Sequence, residues 1–412
     1  MLLPVDLRDW VGRDDLARLI VDAVEQCDLR RAVTNDRGSG SLQYPPGMMV
    51  SLLIYAYAQS VFSSRRIEQL TYENLSVRYV CGNTHPDHDT IAKFRRENGA
   101  LFQDCMRSVI LLGQELGMVK LGMLAVDGTR MQANANRHRF TTQKQLEQEQ
   151  ARVDEVIKEL LQKAEAADQA HQGEEPAELP FELADEQKRQ QAIKAALERI
   201  KQRETEQKEQ KEALAQRGRQ SNAGPVRMNL TDPDCGILHR KGAGTVIGFN
   251  AQIAVDVQGA GLIISNTVGA QGCDAELLHE VLEPIERQLG QAAKEVVVDT
   301  GYESAQRAYE IEKNLGTKVT YSPRPTHASE SPVRTKHSRT QRLVRHMRHL
   351  IKKRADSAHG QWLKQRRQTV AEGAFGFIKQ TMGFKRFSLR GLKKVQTEWQ
   401  LVCLAFNIRK LA

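Results

Sequence analysis

The chain of 412 residues is long enough for two or three domains, and its composition of 40% hydrophobic and 27% charged residues is that of a soluble globular protein. No apolar run approaches the ~18 residues needed to span a bilayer, and the six scattered cysteines form no Cys-x-x-Cys pair, which argues against disulfides or structural zinc and fits a reducing cytoplasm. The net charge is +9, and the segment between Arg334 and Arg367 has Asp356 as its only acidic residue, so nucleic acid is the leading partner.

The first part of the chain, residues 1–119, is predicted to be helical. Helices are expected to begin around Asp14 and Asp15, around Pro45–Gly47 and at Ser64. The stretch His85–Thr90, a predicted turn that ends in an N-cap, then leads into a basic helix over Ile91–Glu97, which carries Lys93, Arg95 and Arg96. Short helices followed by a capped basic helix are typical of a helix-turn-helix-like DNA reader. An ordinary helical bundle with a solvated basic face fits the same pattern equally well.

From Leu121 onward, predicted strands and helices alternate. The pattern predicts a buried strand at Leu121–Val126, a hairpin of Gly248–Val255 with Leu262–Val268, a helix at Asp274–Leu289, a strand at Glu295–Val298, a helix at Glu303–Leu315, a strand at Thr317–Tyr321 and a helical tail over Gln368–Leu411. This order predicts an α/β fold with helices on the faces of one sheet.

Residues 141–216 interrupt that order with a segment rich in Glu, Gln, Lys and Ala. Leu146, Val153 and Leu160 follow heptad spacing, and residues 173–180 contain a Gly/Pro break before a second helical run. We interpret the segment as an antiparallel coiled-coil hairpin inserted into the sheet domain. Partial disorder is the competing interpretation, and no site chemistry is expected there.

Two aspartates, Asp127 and Asp299, directly follow predicted buried strands. If the strands are neighbours, the carboxylates converge, and two ionised carboxylates repel each other strongly in a low dielectric. Either one takes up a proton, as in an aspartic protease, or a cation lies between them. The basic surroundings favour a phosphate substrate and therefore a metal ion.

A third carboxylate is needed to hold two hard cations for phosphodiester chemistry. Glu372 is the candidate, near the start of a helix that follows the basic segment. Lys379 comes seven residues later, about two helical turns along the same face, where its ammonium could hold a DNA phosphate. Taken alone, Glu372 is better explained as a surface glutamate in a charged helix.

The chain also contains a series of motif blocks that occur in a fixed order: His88–Arg95, Val126–Ala135, Gly248–Gln252, Val298–Tyr302, Glu372–Lys379, Met382–Leu392, Glu398 and Ala405–Arg409. In these blocks the sequence resembles the DDE transposases of bacterial insertion sequences. It implies a ribonuclease H-like mixed sheet flanked by helices over residues 120–412, interrupted by the insertion at 141–216, behind an all-helical DNA-binding domain at 1–119. It also implies that Asp127, Asp299 and Glu372 are the catalytic and metal-binding triad and that Lys379 is an auxiliary DNA contact.

The same resemblance implies a two-metal mechanism with Mg²⁺, for which Mn²⁺ would substitute. One ion activates the water that cuts the transposon end, and the other stabilises the leaving 3′-oxygen before the freed 3′-hydroxyl attacks target DNA. The implied partners are double-stranded DNA, both terminal inverted repeats and target, and a second copy of the chain, in a bacterial cytoplasm at the nucleoid and without a membrane.

One feature departs from the family pattern Tyr-x2-Arg-x3-Glu-x6-Lys. Gln365 and Gln368 occupy the Tyr and Arg places, while Arg366 and Arg367 lie beside them. The Glu–Lys spacing is intact. The two arginines are therefore kept as predicted DNA contacts, in positions that the family pattern does not explain.

The basic segment itself contains a stripe of basic residues at helical spacing, here called the basic stripe: Arg339, Arg342, Arg345, Arg348 and Lys352. Val344, Met347 and Ile351 lie on a separate, apolar face. Like charges at this spacing destabilise a free helix by a few tenths of a kcal/mol per pair, and a phosphate backbone would remove that cost. DNA contact is therefore favoured over a solvated face.

Two other functions remain compatible with the sequence. One is a metal-dependent nuclease, or a DNA-binding relative without transposition, that keeps the same fold. The other is a structural protein built around the coiled coil, which predicts no metal-dependent activity.

Overall fold

The structure, a computed structural model, describes residues 6–33, 43–170, 181–216, 224–240, 244–270, 272–324 and 339–412. The chain divides into two compact units, one formed by Met1–Asn134 with Gly236–Ala412 and the other by Ala135–Cys235. Across the described ranges, no helix is long and apolar enough to cross a membrane.

The N-terminal part of the first unit is helical, as predicted. Its helices are α1 (Leu16–Glu25), α2 (Pro46–Ala58), α3 (Ser64–Glu73), α4 (Leu75–Val80), α5 (His88–Glu97) and α6 (Gly99–Glu115). Asp15 caps α1 by accepting from the Ala17 amide, and Asp87 caps α5 by accepting from the amides of Asp89 and Thr90. The basic helix therefore begins three residues earlier than expected, because Asp87 rather than Thr90 satisfies its first free N–H groups.

The second unit contains the inserted segment. It consists of β2 (Phe140–Thr141), α7 (Gln143–Ala170), α8 (Phe181–Gln216) and β3 (Met228–Asn229), with β2 and β3 paired antiparallel. The helices share an apolar cluster to which the predicted heptad residues Leu146 and Val153 contribute from α7 and Ile193, Leu197 and Ile200 from α8. Leu160 is only half-buried, and the predicted break at 173–180 lies outside the described residues.

A mixed sheet forms the centre of the first unit and confirms the predicted α/β class. Its strands are β1 (Met123–Gln132), β4 (Gly236–Arg240), β5 (Gly244–Asp256), β6 (Ile263–Gly269), β7 (Glu295–Val298) and β8 (Lys318–Thr320). The strands pair in the order β4–β5–β1–β7–β8. Strand β5 is long enough to pair with β4 along residues 244–248 and with β6 along residues 250–255. The β1–β5 and β5–β6 pairs are antiparallel, whereas β1–β7 and β7–β8 are parallel.

The remaining helices of this unit surround the sheet. They are α9 (Asp274–Leu289), α10 (Ala305–Leu315), α11 (Arg339–Asp356), α12 (Ala358–Arg367), α13 (Gly373–Gly376) and α14 (Leu392–Leu411). Two π-helical segments, Gln368–Glu372 and Phe377–Thr381, flank α13. The predicted bounds of α9 and β7 are confirmed residue for residue, and the predicted hairpin is the β5–β6 pair.

Helix α14 packs at the heart of the unit, between the N-terminal helices α2 and α6 and strand β6. Trp399 is fully buried there and donates its indole N–H to the carbonyl of Gln252 in β5, at 3.1 Å. The neighbouring Glu398 is also fully buried and accepts from the backbone amides of Ser388 and Leu389. Its carboxylate also accepts from the Tyr57 hydroxyl of α2, so a single residue of α14 links two distant parts of the chain.

Candidate active site

The two aspartates predicted to meet do lie on paired, parallel strands. Val126 of β1 is opposite Val298 of β7, and each aspartate is the next residue along its chain. Contrary to the prediction, Asp127 does not end its strand, because β1 runs on to Gln132 in its pairing with β5. Asp127 instead lies where β7 leaves the sheet, so its side chain stands at the end of the β1–β7 ladder together with Asp299.

The environments of these two carboxylates differ. Asp127 is 17% exposed and its Oδ1 accepts a hydrogen bond from the Gly128 amide at 2.8 Å. Asp299 is exposed and precedes a short 3₁₀ turn, Thr300–Tyr302. Burial raises the pKa of Asp127 to about 6, and Arg367 and the Gly128 N–H oppose that rise while Asp299 and Glu372 add to it. Both other acidic residues are therefore close enough to act on Asp127 electrostatically.

Glu372 reaches the site from the π-helical segment that follows α12. One guanidinium, that of Arg367, joins it to Asp127: Nη1 donates to Asp127 Oδ2 at 2.7 Å and Nη2 donates to Glu372 Oε1 at 3.1 Å. The Arg367 side chain is only 8% exposed, whereas that of Glu372 is 56% exposed. Arg367 also lines a small cleft with Asp299 and Lys364. Asp127 and Glu372 thus both contact one buried arginine, and Asp299 lines the same cleft as that arginine.

The three acidic residues converge, but their side chains are not arranged as a metal-ion site. Carboxylate oxygens are the ligands that Mg²⁺ takes in proteins. Among the residues that the structure describes, however, no group of three or more His, Cys, Asp and Glu side chains is arranged to hold a metal ion. In this conformation the acidic residues do not fit two ions, because a guanidinium lies between two of them.

Lys379 lies at the same end of the sheet. Its ammonium donates to the hydroxyl of Thr129, two residues after Asp127 on β1. Residues two apart on a strand share a face. The lysine predicted as an auxiliary DNA contact is therefore adjacent to the Asp127 side of the site.

A buried polar network behind Asp127 was not predicted from the sequence as a site. Asp274, at the start of α9, accepts from Arg130, Asn250 and Gln252, and Gln252 in turn accepts from the Tyr302 hydroxyl. The network connects the strand of Asp127 to the turn that follows Asp299. Gly128 leaves room for it, since a Cβ there would overlap the Gln252 amide. The resemblance of the Gly248–Gln252 block was the signal that could have identified it.

Most of the predicted DNA contacts on α5 and α11 are exposed, but one is buried. Lys93 and Arg96 are exposed on α5, but Arg95 is buried and donates to the Tyr57 hydroxyl at 3.1 Å and the Phe62 carbonyl at 2.7 Å. Arg342, Arg345 and Arg348 are exposed on α11, and the side chain of Arg339 lies outside what the structure describes. Met347 and Ile351 are buried, which confirms the apolar face of that helix.

The two arginines beside the family motif also differ from each other. Arg366 is half-buried and donates to the Val257 carbonyl at 2.8 Å. Arg367 is the buried residue between the acidic side chains. Only Arg366 keeps part of its side chain accessible to a phosphate in this conformation.

Comparison with known protein families gives two matches, at opposite ends of the chain. Residues 5–97 match the family described as transposase domain (DUF772), and residues 297–412 match the transposase DDE domain. Neither the curated proteins nor the solved structures contain a significant match. The second matched region includes Asp299, Glu372 and Lys379, and the first includes the capped basic helix α5. On these two matches, in this order along one polypeptide, the chain belongs to the DDE transposases of the insertion-sequence type.

Proposed function

We propose that this transposase cuts DNA at transposon ends and joins the freed 3′ ends to target DNA, with Asp127, Asp299 and Glu372 as its catalytic carboxylates. The observation that carries the proposal is the convergence of three acidic residues, from segments far apart in sequence, around one end of the β1–β7 ladder. Such clusters of like charge are costly in a fold and are characteristic of functional sites.

We propose that the catalytic domain is ribonuclease H-like and spans residues 120–412, behind a DNA-binding domain at 1–119. The proposal is supported by the strand order β6–β5–β1–β7–β8, with three antiparallel strands followed by two parallel ones. The insertion at 141–216 is proposed to be an antiparallel coiled-coil hairpin. The apolar cluster between α7 and α8 supports that part.

The proposed cofactor is a pair of divalent ions, Mg²⁺ with Mn²⁺ as a substitute. When bound, such ions activate the attacking oxygen and neutralise charge on the leaving one. Asp127, Asp299 and Glu372 would supply hard oxygen ligands for them in a conformation in which Arg367 no longer lies between two of the carboxylates. Lys379, beside Thr129, supplies a positive charge for the DNA backbone. Because two transposon ends have to be brought together, we expect a homodimer on DNA.

The decisive experiment separates a transposase from a nuclease of the same fold. The purified chain is incubated with Mg²⁺, a labelled duplex carrying the inverted repeats that flank its gene, and a plasmid target. Labelled end covalently joined to plasmid is the expected product. Cut ends without any joined product, in Mg²⁺ and in Mn²⁺, would assign the site to a nuclease instead.

The proposed DNA surface includes Lys93 and Arg96 of α5, the basic stripe of α11, and Arg366. Arg342 and Arg345 are exposed on one face of α11, opposite the buried Met347 and Ile351. A phosphate backbone along this face would exchange condensed counterions for guanidinium groups, which makes binding depend on salt. Arg95, which is buried against Tyr57 and Phe62, is better explained as support for α5.

Charge reversal in the basic stripe is expected to weaken DNA binding. The double variant Arg342→Glu, Arg345→Glu should bind duplex DNA less tightly at every salt concentration and should show a shallower salt dependence, by about 0.9 in the slope of log K against log salt for each lost phosphate contact. Fluorescence anisotropy titrations across salt measure both quantities. A matched control is Arg287→Glu, Lys294→Glu, which reverses two exposed charges around the end of α9. Equal affinity and slope in the stripe variant and the wild type would assign the stripe to solvated surface.

A further inference from the structure

The carboxylates proposed as metal ligands already have a cation between two of them. The Arg367 guanidinium donates one N–H to Asp127 and another to Glu372, at 2.7 and 3.1 Å, and is itself almost fully buried. In the described parts of the chain, no His, Cys, Asp and Glu group of three or more is arranged to hold a metal ion. The guanidinium and the expected metal ion would therefore bind the same carboxylate oxygens.

The backbone explains how Arg367 comes to face Glu372. Five residues along a regular α-helix separate two side chains by about 140°, so positions 367 and 372 would point in different directions. The segment Gln368–Glu372 is instead π-helical. Its wider turn brings a residue and the fifth residue after it onto one face, and π-helical turns of this kind recur at functional sites. The local geometry thus accounts for an arginine one place away from the position that the family pattern predicts.

We propose that in the DNA-free protein Arg367 holds the cation position between Asp127 and Glu372, and that a divalent ion binds there only after displacing the guanidinium. The proposal rests on the proposed function, because it takes these carboxylates as the metal ligands. It makes Arg367 a positioning residue: it keeps two acidic side chains together while the site is without its ion, and it lowers the affinity of the site for that ion.

The physical basis is competition between two cations for one pair of acceptors. A buried guanidinium that loses its carboxylate partners is left as an uncompensated charge, so its displacement has a cost. A divalent ion cannot lie between these carboxylates beside the guanidinium without like-charge repulsion, which the burial of Arg367 and Asp127 strengthens. The apparent association constant for the ion is therefore the intrinsic association constant multiplied by the fraction of molecules in which Arg367 has withdrawn.

Calorimetric titration of the full-length, DNA-free chain with Mn²⁺ tests the proposal. Arg367→Gln should bind Mn²⁺ about ten-fold or more tightly than the wild type, because the competing cation is gone. Arg366→Gln removes the same charge one residue earlier, from an arginine that donates to the Val257 carbonyl rather than to the acidic residues. That control should stay within about two-fold of the wild type, since its charge lies outside the carboxylate pair.

Further variants keep every outcome interpretable. Arg367→Lys retains the charge but has a single ammonium in place of the two N–H groups of the fork, so it should bind Mn²⁺ with an affinity between those of the wild type and Arg367→Gln even if the glutamine variant folds poorly. Asp127→Asn should abolish tight Mn²⁺ binding both in the wild type and in each Arg367 variant. Mn²⁺ binding that depends on Asp127 but is not tightened by either Arg367 variant overturns the competition while leaving the proposed site intact. Absence of Asp127-dependent Mn²⁺ binding in all variants overturns the proposed metal site itself.

Discussion

Asp299→Asn, Asp127→Asn and Glu372→Gln are each expected to abolish DNA strand cleavage in Mg²⁺ while leaving DNA binding largely intact. Each change keeps the shape of the side chain and removes the charge that a hard cation requires as its ligand. Asp299 gives the clearest test, because its side chain is exposed, so its neutralisation should cost little stability. Asp127 and Glu372 each accept from Arg367, and their neutralisation also weakens that ion pair.

The measurement is cleavage of a labelled duplex carrying a transposon end, run beside an anisotropy titration of the same duplex. Glu280→Gln, an exposed position on α9, serves as the charge-matched control and should cleave at the wild-type rate. Near-normal cleavage by any one of the three variants would remove that residue from the triad. Loss of binding together with cleavage would instead indicate damage to the fold or to the DNA surface.

Trp399→Ala is expected to lower the free energy of unfolding of the first unit, which contains the mixed sheet, by about 3–5 kcal/mol. This is the usual cost of deleting a buried tryptophan side chain. Trp399 is fully buried, and its ring lies 6.3–6.4 Å from those of Phe375, Phe384 and Phe387. Its indole N–H also satisfies the Gln252 carbonyl, in the strand next to that of Asp127. The substitution therefore leaves a cavity and removes one hydrogen-bond donor from the Gln252 carbonyl.

Urea unfolding followed by circular dichroism measures the loss, with Trp362→Ala as the control. Trp362 is 42% exposed on α12, so its removal should cost less than about 1 kcal/mol. Trp399→Phe retains most of the ring volume and should lose about 1–2 kcal/mol through the missing N–H donor, which gives a readable result if the alanine variant does not fold. Unfolding of Trp399→Ala at the wild-type urea concentration would show that α14 does not support this core.

The acidic residues illustrate what local patterns could and could not predict. A short apolar run ending in an acidic residue identified Asp127 and Asp299 and led to the hypothesis that their strands are neighbours. The register of β1 and β7 confirms that these strands pair in parallel. The continuation of β1 beyond Asp127 was missed, because it depends on pairing with β5, more than a hundred residues later along the chain.

The burial of individual arginines, in contrast, could not be predicted from local patterns. Arg95 and Arg96 are adjacent in a basic helix and look alike in sequence, yet one is buried and the other exposed. What separates them is the acceptors that Tyr57 and Phe62 supply from other segments. The burial of a charged group depends on its partners, and no periodicity within the helix encodes partners contributed from elsewhere.

Local periodicity, turn residues and motif order were enough to predict the hairpin, α9, β7, the helical N-terminal part and the relation to insertion-sequence transposases. Which charged residues contact one another depends instead on tertiary contacts. Arg367, predicted as a DNA contact, lies between Asp127 and Glu372 because a π-helical segment turns it inward and because strand pairing brings Asp127 to that place. Such meetings depend on distant parts of the chain, and the energy of a charge depends on those distant neighbours more than on the residues beside it in sequence.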